Sequence, residues 1–247
     1  MFKKSKKGYY FWEEFSKIDG FVHGFSTRKF GNMNYKSQDT TQNLELFCDA
    51  LQIDPGKAIQ MKQVHGDTVV WVSSKNKKSL IDNADGLLAW EKGIFLVVTF
   101  ADCVPVLFLD KDKNIFGIAH AGWKGTYKEI VKTVVEEMVK KGSNRYDIMV
   151  GLGPSIRVCC YNVYKDRTDA FKTKFPKMKG IIKIKGGKIF LDLTKIVELQ
   201  LKDCGILDRN ILDSKLCTKD YTLDFYSFRK EGEAESFGLS CGIIGTI

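Results

Sequence analysis

A mixed-sheet α/β domain with α+β character is the fold class this sequence predicts, and three observations carry the prediction. Short β-rich runs alternate with amphipathic helical segments through the middle of the chain. Two neighbouring strand-like runs, 104–109 and 114–119, are joined only by residues 110–113, which makes them a hairpin and calls for antiparallel pairing. Apolar segments recur from end to end with no repeat, low-complexity tract or Pro/Ser-rich linker, so residues 1–247 are expected to form a single domain.

Taken in order, residues 40–52 place Leu44, Phe47, Cys48 and Leu51 on one helical face. Residues 68–72 form the first expected strand, and 95–100 and 104–109 follow. These two come from the apolar run 94–109, which Asp102 interrupts. Sixteen residues are too few to cross a bilayer, and the run is rich in β-branched and aromatic residues, so it reads as two buried strands. Residues 115–119 complete the hairpin. A second helix over 126–141 aligns Tyr127, Ile130, Val131, Val134 and Met138; Lys140, Lys141 and Gly142 then supply a cationic last turn and a left-handed cap. A strand at 148–152 follows, then a weaker helical segment at 166–175. A helix over 192–204 starts at Asp192 as N-cap and stops at Gly205.

Composition narrows the class further. Hydrophobic residues at 44% and charged residues at 28%, with 4 Pro, suit an ordinary globular chain, and disorder is not expected outside its ends. The N-terminus MFKKSKKGYYFWEEF begins like a signal peptide but meets Glu13 and Glu14 before an apolar run develops. A cytoplasmic location without membrane insertion is therefore expected. Seven cysteines form an odd set without a CxxC pair, which argues against a disulfide framework and for buried, reactive or metal-binding thiols. The net charge of +9 suits anionic substrates, yet much of the excess lies in lysine runs at 3–7, 75–78 and 183–188. Lysine runs without interleaved Arg and aromatics read as solvated surface, so nucleic-acid binding is not expected.

The chain has only three histidines, and the settings of two are informative. His65 lies in Lys62-Gln63-Val64-His65-Gly66-Asp67, just before a strand, where glycine lets backbones approach closely. Cys103 emerges between the two strands of the apolar run. His120 ends a strand and precedes Ala121-Gly122-Trp123-Lys124-Gly125-Thr126, a strand-to-helix corner of the kind that presents catalytic groups. Two imidazoles and a thiolate suit a tetrahedral zinc ion and leave its fourth position open, the arrangement of a catalytic site. The same trio without metal suits a nucleophilic Cys103 with His120 as base. The plain alternative makes Cys103 a core thiol and each histidine a turn cap. His23 reads as structural.

The segments QVHGD (63–67), ADCVP (101–105), HAGWKG (120–125), GPSIRVCCY (153–161) and CTKD (217–220) together resemble the laccase-domain family, long labelled polyphenol oxidase. Its members are now regarded as purine nucleoside phosphorylases that also deaminate adenosine. The resemblance runs in order from about Phe25 to Arg229. It implies a four-layer α/β/β/α domain, similar to the deamidase domain of cytotoxic necrotizing factor, with a metal at His65, Cys103 and His120. Zinc is the expected ion and copper the alternative. The implied substrates are phosphate and adenosine, inosine, guanosine or methylthioadenosine, giving the base and ribose-1-phosphate. The protein is expected to be a monomer.

The resemblance also assigns substrate residues. Arg28 looks like the arginine of the family's first motif, and its planar fork suits phosphate; its plain reading is a surface salt bridge. Arg229 matches another family arginine, and Arg157 ranks below Arg28 with it. Asn32 would bind sugar hydroxyls, and Trp123 either stacks on a purine or belongs to the core. Three departures fall where substrate would be held: Lys29-Phe30-Gly31 replaces a double glycine, Asn162 replaces an acidic residue, and the tail 232–247 lacks a Thr-Gly-Arg. They put nucleoside specificity in doubt.

Other functions stay open at this stage. They are a metal-free Cys103/His120 hydrolase or deamidase, a copper phenol oxidase, and a basic nucleic-acid-binding module whose affinity would fall with salt. The HxE and PCxxC signature of zinc deaminases is absent, so any deamination must use other groups. Three histidines are also too few for a multicopper cluster of the usual kind, which takes about ten imidazoles.

Overall fold

The two strands of the apolar run, Phe95–Phe100 and Val104–Asp110, are buried throughout, yet they belong to different sheets. The structure is a computed structural model. It describes residues 1–76, 79–232 and 237–247; Lys77 and Lys78 of the 75–78 lysine run and residues 233–236 of the 232–247 tail lie outside the described residues.

One sheet has seven strands in the order Phe2–Lys4, Tyr10–Trp12, Phe21–Phe25, Ser240–Thr246, Phe95–Phe100, Ala58–Met61 and Leu80–Ile81. The other has six, Ile211–Asp213, Met149–Leu152, Val104–Asp110, Ile115–Ala121, Gly86–Ala89 and Val69–Trp71. Both mix antiparallel and parallel pairs, as the alternating pattern predicted. The hairpin is present with Ile115 opposite Asp110 and His120 opposite Pro105. Its turn is set by the Asp110 carboxylate, which accepts the backbone N–H groups of Asp112 and Lys113.

Between the sheets pack Phe25, Leu96, Val98 and Ile244 from one side and Leu87, Leu107, Phe116 and Ile118 from the other. Burying each such side chain fully is worth roughly 1.5–3 kcal/mol. The outer face of the six-stranded sheet is covered by the helices Ile130–Lys140 and Leu193–Asp203, and that of the seven-stranded sheet by Thr40–Leu51. The layers therefore run α/β/β/α. Asp192 caps its helix by accepting from the Lys195 N–H, and Gly142 and Gly205 take the left-handed backbone at the ends of theirs.

One expected helix is divided. Residues 126–141 form Trp123–Tyr127 and Ile130–Lys140, separated at Glu129, whose φ is 66°. Tyr127 shares a helical period with Ile130, but its ring packs instead edge-on against Phe171, 5.4 Å away, in the helix Lys165–Lys174. That tertiary contact outweighs the local period. A small sheet of Asn162–Val163, Lys188–Leu191 and Ile182–Lys185 lies beyond these helices. No helix among the described residues is long and apolar enough to cross a membrane.

Candidate metal centre

The crossover between sheets creates the site. Asp102 sits in the left-handed region at φ 87°, a strained conformation for a residue with a side chain. Its carboxylate accepts the Thr218 hydroxyl at 2.6 Å and the Arg229 N–H at 2.7 Å, which over-determines the bend. Cys103 follows at once. His120 does not end its strand, as the sequence suggested, but lies within Ile115–Ala121, opposite Pro105 just beyond the crossover. His65 enters from the loop before Val69–Trp71, also with a left-handed backbone, φ 59°.

The three side chains meet. Their ligand atoms lie within 4.8 Å of one another, and the two imidazole rings stand edge to face with centres 4.8 Å apart. The closeness depends on Gly122, where a Cβ would stand 2.9 Å from Cys103 Sγ and 3.1 Å from His65 Cδ2. Only glycine leaves that space.

Asp85, absent from the sequence-derived site, organises the centre. Its buried carboxylate accepts the backbone N–H groups of Val64, His65 and Gly66, and His120 Nδ1 donates to it at 2.9 Å. One anion therefore shapes the loop carrying His65 and orients the ring of His120, leaving Nε2 of His120 to face the other ligands. The sequence held a trace of it: Asn83-Ala84-Asp85-Gly86 puts an acid in a turn at the mouth of the apolar strand Gly86–Ala89.

Electrostatics follows the geometry. Burial by itself would raise the Cys103 thiol, but the charge of His120 and hydrogen bonds from both histidines bring it down to about 6. Burial opposes charge on His120, yet the Cys103 thiolate and Asp85 hold it at about 9. Asp85 would likewise rise with burial, and the hydrogen bonds from His120 and Gly66 keep it lowered. The surroundings thus favour thiolate at Cys103, the form that a metal ligand or a nucleophile requires. A soft sulfur and two nitrogens on one side of a cavity, with a carboxylate behind one ring, fit zinc in both donor type and support.

The trio lies at a cavity of about 610 Å³, a size suited to small molecules. Arg229 and Trp123 line it, as do Tyr161 and Arg167. The Arg229 guanidinium stands 4.8 Å from the centre of the Tyr161 ring, and Arg167 donates to the Tyr161 hydroxyl at 3.2 Å. Arg167 also covers the Trp123 ring at 4.2 Å, so a stacking base would have to displace it. Arg28 and Asn32 do not line the cavity. Arg28 is ion-paired with Glu231 and stacks on Tyr226 at 4.0 Å, while the Asn32 side chain accepts the N–H groups of Asn34 and Leu239. Arg157 hydrogen-bonds Thr194 and pairs with Asp213. The Asn162 carbonyl accepts from Arg229 at 2.9 Å. His23 is buried at a distance from these groups, accepting the Trp12 N–H on Nε2.

The family model described as "Multi-copper polyphenol oxidoreductase laccase" matches residues 22–246. A Bacillus subtilis relative called purine nucleoside phosphorylase YlmD is 33% identical, over 84% of this chain and 80% of its own. A relative from an unknown prokaryotic organism, called adenosine deaminase RL5, is 29% identical over 94% of this chain and 92% of its own. The chain spans 56% of the length of the mouse relative it matches, a purine nucleoside phosphorylase called LACC1. Among solved structures, a hypothetical protein YfiH of Bacillus licheniformis superposes with a TM-score of 0.90 at 28% identity, covering 100% of this chain and 99% of that one.

Proposed function

The chain belongs to the multi-copper polyphenol oxidoreductase laccase family, and from that premise we propose that it is a purine nucleoside phosphorylase with adenosine deaminase activity, working at a zinc site of His65, Cys103 and His120. One observation carries the reading: a single cavity joins that donor set to two arginines and several aromatic faces. The names of the relatives support the substrate class.

In phosphorolysis a phosphate oxygen bonds to the anomeric carbon, the glycosidic C–N bond breaks, and the base leaves with the electron pair and takes a proton. The sugar becomes cationic on the way, so the dianion must be held on one face. We assign this to Arg229 and Arg167, which line the cavity on either side of Tyr161, rather than to Arg28, which is committed to Glu231. Phe228, Phe237 and Leu239 line the same cavity and offer an apolar seat for the base. The hydrogen bond to Asp85 orients the His120 ring toward the other two donors. A zinc ion held by the trio would supply Lewis acidity and an acidified water for the hydrolytic removal of the 6-amino group. Copper would occupy the same donors. With His23 engaged by Trp12, too few imidazoles remain for a multicopper cluster.

The test is metal content by mass spectrometry together with phosphate-dependent release of adenine and hypoxanthine, on wild type and Cys103→Ala purified without an affinity tag. Loss of one equivalent of zinc and of all base release in the variant is expected. Metal-free protein without base release would overturn the reading.

One observation favours a second reading, a metal-free cysteine hydrolase or deamidase. A Cys103 thiolate beside His120, backed by Asp85, has the order of groups of a nucleophilic triad. Activity that survives chelation and is abolished by thiol alkylation would select it.

A further inference from the structure

Three thiols and a carboxylate come together in a second place. The ligand atoms of Cys159, Cys160, Cys217 and Asp220 all lie within 4.8 Å of one another. The Asp220 carboxylate takes the Cys159 thiol on one oxygen at 3.4 Å and the Cys160 thiol on the other at 3.2 Å. None of the four lines the cavity of the His65 trio.

We propose that these four side chains form a second metal site, specific for a thiophilic divalent ion such as zinc and structural in role. Four donors complete a tetrahedron and leave no position for substrate, in contrast to the three-donor trio. Zinc–sulfur bonds of about 2.3 Å place tetrahedral donors about 3.8 Å apart, so side chains already within 4.8 Å need only a small contraction. Sulfur donors exclude magnesium and calcium, which prefer oxygen. Cys217 is buried and Cys159 exposed, so the site has both an anchored wall and an entry path.

The backbone frame is prepared for it. Cys159 and Cys160 sit on a turn closed by the Cys160 and Tyr161 N–H groups donating to the Arg157 carbonyl at 2.9 Å. Cys217 and Asp220 sit on another, closed by Asp220 and Tyr221 donating to the Cys217 carbonyl. The two turns are already stitched by a bridge between Ser155 and Cys217. An ion here would fasten them through side chains as well.

The position of those turns gives the clamp its purpose. Tyr161, directly after Cys160, lies between the cavity's two arginines. Thr218, directly after Cys217, donates to Asp102, the strained residue before Cys103. A second ion would thus hold the cavity wall without touching the substrate. The proposal is independent of the nucleoside reading.

The experiment is zinc stoichiometry by native mass spectrometry on the untagged full chain. It compares wild type, Cys103→Ala, the Cys159→Ser/Cys160→Ser double variant, and all three changes together. Two equivalents, one, one and none are expected. The double variant spares buried Cys217, and circular dichroism checks that each chain folds. Cobalt loaded into Cys103→Ala should show a thiolate charge-transfer band that the triple variant lacks, and chelator should lower the Tm of Cys103→Ala but not of the triple variant. A single equivalent in wild type that vanishes in Cys103→Ala would overturn the proposal. So would a mass two hydrogens lighter, showing a disulfide among these cysteines, or alkylation of Cys159 and Cys160 at equal rates with and without zinc.

Discussion

Asp85 and His120 face each other at 2.9 Å where both are shielded from solvent, and the same carboxylate gathers three consecutive N–H groups of the loop that bears His65. Two ligands separated in sequence are thereby referenced to one buried anion. Asp85→Asn keeps the volume but replaces one acceptor with a donor. Zinc affinity should fall about 10- to 100-fold, as for other residues that orient a ligating histidine. Competition with a chromophoric chelator measures it, and an unchanged affinity would remove Asp85 from the site.

Gly122→Ala tests the packing of the trio by itself. The Gly122 backbone, φ −69° and ψ 173°, accepts alanine without strain, so the added methyl acts only on Cys103 and His65. Activity should fall on the order of 100-fold, the scale of a misplacement of about 1 Å, while Tm changes little. A loss of Tm that tracked the loss of activity would mean the glycine serves the fold instead.

The arginines separate by role. Arg229→Gln should raise the KM for phosphate about 10- to 100-fold, corresponding to about 1.5–3 kcal/mol for a charged hydrogen bond. Its backbone N–H to Asp102 survives the change. Arg28→Gln should leave that KM alone and lower Tm, because Arg28 is spent on Glu231 and Tyr226. Initial-rate kinetics in varied phosphate decide between these assignments.

His23 sets an acid limit on the fold. Burial pulls its ring from 6.5 down to about 3, so it stays neutral in the folded chain while accepting the Trp12 N–H. Between pH 6.5 and about 3 the unfolded chain binds a proton here that the folded chain refuses. Stability is therefore complete above that window and declines as pH falls through it, by at most about 1.4 kcal/mol per unit. Denaturant titrations from pH 7 to 4 should show the decline, and His23→Gln, which keeps an acceptor, should flatten it.

What could be read from the chain alone was what depends on local pattern. The hairpin 104–109/114–119, the helix Thr40–Leu51 and the Asp192 cap each follow from residues that are neighbours in sequence. The strands at the sheet margins, such as Phe2–Lys4 and Leu80–Ile81, are only two or three residues long and exist because a partner pairs with them. In the site, His65 and His120 announced themselves by the rarity of histidine and by the turns beside them, and Cys103 by its place between two apolar strands. Asp85 did not, because its value lies in four hydrogen bonds from groups 19 to 35 residues away. Arg28 misdirected attention: a guanidinium suits phosphate and carboxylate equally, and Glu231 claims it only in three dimensions.

The strand Ser240–Thr246 lies inside the seven-stranded sheet, between Phe21–Phe25 and Phe95–Phe100, and Cys241 donates to Ser26 Oγ across 215 residues of sequence. His65, Asp85, Cys103, His120 and Gly122, by contrast, share one short continuous stretch. Such distant pairing makes sheet closure a slow, late event, whereas the ligands can meet early. During refolding the metal trio should assemble while the neighbouring sheet still has an open seam. In that interval the edges of Phe21–Phe25 and Phe95–Phe100 that Ser240–Thr246 covers would stand open, and unpaired edges of that kind favour aggregation.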